Sequence, residues 1–274
     1  MRADVFLASG GYAPSREQAK RLILEGLVTV DGKPLRRAAE EIGEGAHTVT
    51  VSGPERFVSR GGNKLEAALA AFGLNPSGWR ALDIGASTGG FTDCLLRHGV
   101  TEVVAVDSGA GQLAEALRGD PRVRSREHCN ARDLTAETIG GRVRLIVMDV
   151  SFISATLILP RFPALLESVG DAVCLIKPQF EVGRANIVKG GIVRDPRAHR
   201  LAVDRVLDCA SALGLCAAGL IPSPILGGDG NREFLVRLTV GQTFPPLTAK
   251  QVAAVTANAA KGDGYAENCV GNKL

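Results

Sequence analysis

Two charged residues in this 274-residue chain end apolar runs, where an unpaired charge is costly. Val143-Arg144-Leu145-Ile146-Val147-Met148 leads into Asp149, and Ala172-Val173-Cys174-Leu175-Ile176 leads into Lys177. Both runs read as buried strands, and in open parallel sheets ligands sit outside the carboxyl ends of the strands. A structural salt bridge would explain either charge alone. Two of them on neighbouring strands suggest a working site, in which an amine and a carboxylate hold a ligand and handle its proton. Two more charges have similar placement. Lys64 heads a helix after Ser59-Arg60-Gly61-Gly62-Asn63, and Glu233 follows Gly227-Gly228-Asp229-Gly230-Asn231-Arg232 at the start of the last strand.

A ligand cradle lies between them. Trp79-Arg80-Ala81-Leu82 approaches the turn Asp83-Ile84-Gly85-Ala86-Ser87-Thr88-Gly89-Gly90, and Phe91, Leu95 and Leu96 then mark one face of a helix. Glycines let backbone approach a ligand, and the free N–H groups of a helix start can donate to it. The next strand, Glu102 to Val106, ends in Asp107, where a ribose hydroxyl pair is usually held. The dinucleotide fingerprint would need glycine at Ser87, and Asp83 suits a cationic ligand better than a pyrophosphate. S-adenosylmethionine (SAM), with a sulfonium, an ammonium and no phosphate, fits that charge. Asp83, Gly85, Ser87, Gly89 and Gly90 are assigned to its methionine end and Asp107 to its ribose. Asn130 is either an adenine contact or a turn asparagine. A purely structural strand–helix turn is the plain alternative for the whole stretch. Asp93 and Phe91 read as packing residues.

The elements that must position these groups alternate strand and helix from Ala81 onward, the pattern of an α/β doubly wound, mostly parallel sheet. Strands are expected at 80–84, 102–107, 123–127, 143–149, 171–176, 215–221 and 233–240, the last of them antiparallel. Helices are expected near 64–72, 89–98, 111–118, 155–168 and 197–213. Residues 178–196, with Gly183, Gly190 and Gly191, read as a mobile loop over the site. A net charge of +3 leaves nucleic-acid contact to local patches. The six cysteines form no C-x-x-C pair and do not cluster with the four histidines at zinc spacing, so no metal is expected. Cys94 and His98, four apart on a helix, read as packing or surface. Scattered cysteines and an opening without a signal sequence fit the cytoplasm. The most apolar window, 145–160, is interrupted by Asp149 and too short to span a bilayer, so stable membrane insertion is not expected.

Residues 1–58 have a different texture. Ser15-Arg16-Glu17-Gln18 is a helix-start capping sequence, Ala19, Leu22 and Ile23 supply an apolar stripe, and Leu27 to Val30 runs into an Asp31-Gly32 hairpin turn. Ala46 to Val51 alternates like a further strand, and Glu55 to Val58 reads as a linker. The run Ser15-Arg16-x-x-Ala19-x-x-Leu22-Ile23-x-x-Gly26-x-Val28-x-Val30-x-Gly32 resembles the S4 RNA-binding domain. That resemblance implies phosphate contacts by Arg16, Lys20, Arg21 and Lys33, which position folded RNA rather than read its sequence. A solvated helix face is the alternative, since residues 1–60 carry nine basic and eight acidic groups.

Lys64, Asp149, Lys177 and Glu233 match in order the Lys-Asp-Lys-Glu set of FtsJ-type RNA 2′-O-methyltransferases. Together with the S4-like start, Ser59-Arg60-Gly61-Gly62 and Ser151-Phe152-Ile153-Ser154, the chain to about 242 resembles the TlyA family. Some members of that family have been called hemolysins. The resemblance implies an S4-like domain at 1–58, a Rossmann-like SAM-dependent methyltransferase domain at 59–242 and a tail at 243–274. It also implies ribosomal RNA or ribosomal subunits as partner, Arg60 as a further RNA contact, and modification of a cytidine in 23S rRNA, extended in some members to 16S rRNA. For a ribose 2′-hydroxyl, Lys177 is the candidate nearest the oxygen. Lys64 would disfavour its charge, Asp149 would orient it, and Glu233 would hold the ribose or Lys64. Lys177 either accepts the proton or stabilises the alkoxide. A membrane-active hemolysin and a non-catalytic RNA-binding factor on the same fold are the competing readings.

Overall fold

The computed structural model describes residues 1–24, 26–43, 45, 47–51, 56–188, 190–228 and 230–258. Ala46 of an expected strand, Glu55 of the linker, Asp229, Cys269 and the tail from 259 onward lie outside the described residues. The chain forms two compact units, Met1–Arg56 and Phe57–Leu274.

In the first unit α1 (Ala3–Ser9) and α2 (Arg16–Leu24) pack on a three-stranded sheet in the order β2-β1-β3, with β1 at Val28–Val30, β2 at Lys33–Pro34 and β3 at Val49–Val51. The capping sequence works as its spacing suggests, with the Gln18 N–H donating to Ser15 Oγ at 3.2 Å. Asp31 and Gly32 both have positive φ (53° and 74°), the backbone of a type I′ hairpin turn. Leu7, Ala19, Ile23, Val28 and Leu35 form the small core.

The second unit carries the expected sheet. Its strands are β4 (Arg80–Ile84), β5 (Glu102–Val106), β6 (Val123–Arg126), β7 (Val143–Met148), β8 (Leu166–Ile176), β9 (Cys216–Pro222) and β10 (Phe234–Val240), in the order β6-β5-β4-β7-β8-β10-β9. Pairings from β6 to β8 are parallel, and β10 runs antiparallel to both of its neighbours. Side chains alternate across the sheet. Leu82, Ile84, Ile146, Met148, Cys174 and Ile176 enter one core, while Ala81, Leu145, Val147, Val173 and Leu175 enter the other. The helices are α3 (Gly61–Ala71), α4 (Gly90–Arg97), α5 (Glu115–Arg118), α6 (Phe162–Leu165), α7 (Pro178–Glu181), α8 (Pro196–Ala212) and α9 (Ala249–Asn258). Asp195 caps α8, its Oδ1 accepting from Arg197 N at 2.8 Å, with Pro196 in the first turn.

Two expectations need correction. The single helix over 155–168 is replaced by two 3₁₀ turns, the one-turn α6 and the start of β8, because Pro160 and Pro163 lack the N–H groups a continuous helix needs. Helix 111–118 shrinks to Glu115–Arg118, since Gly111 has φ +67° and Ala114 is extended. The tail, to which no chemistry is assigned, contains α9, which packs against α8 and β9. No helix among the described residues is long and apolar enough to cross a membrane.

Candidate active site

Strand register assembles three of the four charged groups. Ile84 lies opposite Met148, Met148 opposite Cys174, and Ile176 opposite Phe234. The next residues outward are therefore Gly85, Asp149, Lys177 and Glu233, all at one edge of the sheet. Lys177 Nζ lies 2.6 Å from Asp149 Oδ1 and donates to Ser151 Oγ at 2.8 Å. Lys64 Nζ donates to Glu233 Oε2 at 2.5 Å, and these two residues are only 8 % and 3 % exposed. Burial pushes the Glu233 carboxyl up, while Lys64 beside it and Lys177 farther off pull it down and the Asp149 charge adds to the rise. Glu233 thus lies within electrostatic reach of the other three. Its contact is with Lys64, one of the two partners expected for it.

Lys64 reaches the site because two helix starts meet through glycine. A Cβ on Gly62 would run into the Phe57 ring, and one on Gly90 would meet Ser59 Oγ and the Gly62 nitrogen. Serine and glycine at 59–62 therefore let α3 close onto α4. Gly85 combines φ +83° with a close approach to the Asp149 carbonyl that any Cβ would block.

Two cavities open at this edge. One, of about 270 Å³, is lined by Ser59, Arg60, Lys64, Asp149 and Lys177 among others. The second, of about 670 Å³, runs past Ile84, Val106, Asp107, Asn130 and Ile158. They share Gly85, Ser87, Asp149 and Ser151 as a common wall. The larger cavity therefore meets Asp149 along that wall.

The residues fit a SAM-like donor on three counts. Gly85 keeps the wall between the cavities thin. Asp107 is held in place at both oxygens, by Ser87 N and Gly109 N at 2.8 Å each, and faces the larger cavity. Asp83 is fully buried, its Oδ2 accepts from Thr92 Oγ1 at 2.6 Å, and its Oδ1 has no hydrogen-bond partner. Burial pushes the Asp83 carboxyl up to about 7, opposed by the Thr92 hydrogen bond. An orphaned buried carboxylate oxygen favours a cation nearby. Asp83 and Gly89 line neither cavity, so they shape the cradle from behind, Gly89 through φ +96° at the start of α4.

Asn130 is a turn asparagine that also faces a cavity. Its Oδ1 accepts from Arg132 N at 3.1 Å, capping a turn, and it lines the larger cavity. Asp93 is structural, pairing with Arg97 at 2.8 Å and accepting from Val58 N at 2.9 Å. Phe91 is 3 % exposed and packs in the core beneath the turn. Arg60 lines the smaller cavity. In the first unit Arg16, Arg21 and Lys33 are exposed and Lys20 is half-buried; Arg16 also donates to the buried Asp4 at 3.1 Å.

No described residue of 178–196, the segment expected to lie over the site, lines either cavity. Asn231 pins that segment by accepting from Val193 N and donating to Gly191 O, each at 2.9 Å, and Ile225, Leu226 and Gly228 form the cavity wall instead. Three contributors carried no individual role in the sequence reading. Ser151 holds Lys177. Phe152 stands 92 % exposed at the cavity mouth with φ +65°. Glu181 accepts from Ser154 Oγ at 2.5 Å and Ala155 N at 2.8 Å, tying the segment after Lys177 to the one after Asp149. The motif Ser151-Phe152-Ile153-Ser154 was the available signal for the first two.

Comparison with known proteins gives the family. The profile of the FtsJ-like methyltransferases matches residues 57–240, and that of the S4 domain matches residues 1–47. A Mycobacterium tuberculosis protein named 16S/23S rRNA (cytidine-2′-O)-methyltransferase TlyA is 46 % identical over 91 % of this chain and 93 % of its own. Hemolysin A of Brachyspira hyodysenteriae is 41 % identical over 88 % of this chain and all of its own. A solved hemolysin-named protein of Streptococcus thermophilus superposes with a TM-score of 0.75 at 41 % identity, covering 94 % of this chain and 95 % of the other. The chain therefore belongs to the FtsJ-like methyltransferases that carry an amino-terminal S4 domain, the family of the TlyA proteins.

Proposed function

We propose that this chain transfers a methyl group from SAM to the 2′-oxygen of a cytidine in ribosomal RNA, in the cytoplasm. The observation that carries the reading is that Lys64, Asp149 and Lys177 line the smaller cavity, with Glu233 bonded to Lys64, and that Asp149 also belongs to the wall shared with the larger cavity. SAM would supply an electrophilic methyl carbon on a sulfonium that leaves as a neutral thioether. Asp107 would hold its ribose, the turn at Gly85–Ser87 its methionine end, and Ile84, Val106 and Ile158 the faces of its adenine.

The ribose hydroxyl would enter the smaller cavity beside Lys177. As the oxygen–carbon bond forms and the carbon–sulfur bond breaks, the hydroxyl proton passes to the Lys177–Asp149 pair. Ser151 and Asp149 keep the Lys177 amine aimed, and Glu233 does the same for Lys64. Preorganised cations stabilise the charge developing on oxygen. Arg60 at the cavity, with Arg16, Lys20, Arg21 and Lys33 in the S4 unit, would neutralise RNA phosphates. Phe152, an exposed ring at the mouth, offers a face on which a base drawn out of its stack can rest.

Lys177→Met tests the reading. With labelled SAM and ribosomal subunits, methyl transfer should fall by at least about 100-fold, within the range for loss of a proton-handling group, while SAM affinity changes little. Undiminished transfer in that variant would remove Lys177 from the chemistry. A parent chain that binds SAM but methylates neither ribosomal subunit would remove the proposed substrate.

A further inference from the structure

Away from both cavities, Glu66, Cys94 and His98 place one donor atom each within 4.8 Å of the others. His98 Nε2 is 2.6 Å from Glu66 Oε2, and Cys94 Sγ is 3.7 Å from the same oxygen. Cys94 and His98 share one face of α4 and its C-terminal cap, as four-residue spacing requires, and Glu66 faces them from α3. Sequence spacing shows only the first two, because the third comes from a helix 28 residues earlier than Cys94.

A tetrahedral zinc site has Zn–S near ~2.3 Å and Zn–N and Zn–O near ~2.0–2.2 Å, which sets ligand atoms roughly 3.3–3.8 Å apart. Side-chain shifts of about 1 Å take the present separations to that geometry. Cys94 is buried, whereas the His98 and Glu66 side chains are 31 % and 26 % exposed, so the cluster opens to solvent on one side for a fourth, water ligand. A thiolate, an imidazole and a carboxylate suit a borderline-soft cation and not magnesium or calcium. The end of α4 adds the negative pole of its dipole.

We propose that Glu66, Cys94 and His98 form a binding site for a zinc-class divalent cation. The ion would replace the Glu66–His98 hydrogen bond and bind Cys94 as thiolate, releasing its proton. Its position gives it a consequence for the neighbouring cavities. Glu66 lies two residues beyond Lys64 on α3, and α4 begins at Gly90 in the cradle turn. A bound ion would clamp these two helices together, so that cation occupancy and the geometry around Lys64 become linked.

The test is a Co²⁺ titration of the full chain after chelator treatment, followed by the thiolate-to-cobalt charge-transfer band and by displacement with Zn²⁺. One equivalent per chain should bind with that band. Cys94→Ser should abolish the band, and His98→Gln should weaken binding by at least about tenfold. Zn²⁺ should raise the Tm of the parent more than that of His98→Gln. Calorimetric SAM binding serves as the folding control. If Cys94→Ser fails to fold, the half-exposed His98→Gln decides the matter by itself. A parent without the band, a band that survives Cys94→Ser, or a His98→Gln chain that binds Co²⁺ like the parent would overturn the proposal.

Discussion

Asp83→Asn separates what the buried carboxylate does for the fold from what it does for a ligand. Burial lifts this carboxyl from an ordinary 3.8 to about 7. The folded chain therefore holds the Asp83 proton more tightly than the unfolded chain does. Its contribution to stability is fully present below about 3.8 and is lost as pH rises through about 7. At about 1.4 kcal/mol per tenfold, the ionised side chain costs the ligand-free protein up to about 4 kcal/mol above roughly pH 8. Asparagine never carries that charge, and its oxygen can still accept from the Thr92 hydroxyl that now donates to Asp83. Asp83→Asn should be more stable than the parent at roughly pH 8.5 by about 1–4 kcal/mol, a shift of about 2–4 °C in Tm per kcal/mol in differential scanning calorimetry. The gap should shrink as pH falls toward 4. SAM binding should move in the opposite direction. A cation favours ionised Asp83, so parental affinity measured by calorimetry should fall by up to about tenfold per pH unit below about 7. The asparagine variant should bind weakly at every pH. Equal Tm values at pH 8.5, or undiminished SAM affinity in the variant, would refute the reasoning.

Other substitutions probe separate links. Gly85→Ala places a methyl group against the Asp149 carbonyl at φ +83° and should abolish SAM binding; Gly73→Ala, also at positive φ but with open space around it, should cost only about 1 kcal/mol in denaturant unfolding. Asp171→Ala removes the fully buried partner of Arg144 and Arg237, which donate to it at 2.8 and 2.7 Å, and should destabilise the chain by about 3–5 kcal/mol; a loss under 1 kcal/mol would show those arginines satisfied elsewhere. Phe152→Ala, at a side chain 92 % exposed, should leave Tm and SAM affinity unchanged and lower methyl transfer to RNA about tenfold or more, in line with a stacking contact of about 1–3 kcal/mol. Unchanged transfer would remove the ring from substrate contact.

Much of the site was legible because the charges that form it interrupt apolar strands. Asp149 and Lys177 stand out at the ends of β7 and β8, and parallel neighbours align their ends. Local rules were least reliable where proline or a positive φ broke a helical pattern, at 155–168 and 111–118. Contacts between residues far apart in the chain left no local trace. Lys64 and Glu233 are 169 positions apart, and no local pattern shows that their side chains meet. Arg16 reads as a free cation in the sequence, yet part of its charge is already held by Asp4.

By itself the sequence determined the alternation that builds a parallel sheet, the turn that leaves backbone groups free beside it, and the four charged types at its edge. Each depends on periodicity or backbone geometry within a few residues. Only the tertiary structure decided that Glu233 meets Lys64, that Ser151 bonds Lys177, and that Glu66 completes a cluster with Cys94 and His98. Those pairings depend on strand register and helix packing between distant segments, which no local spacing encodes.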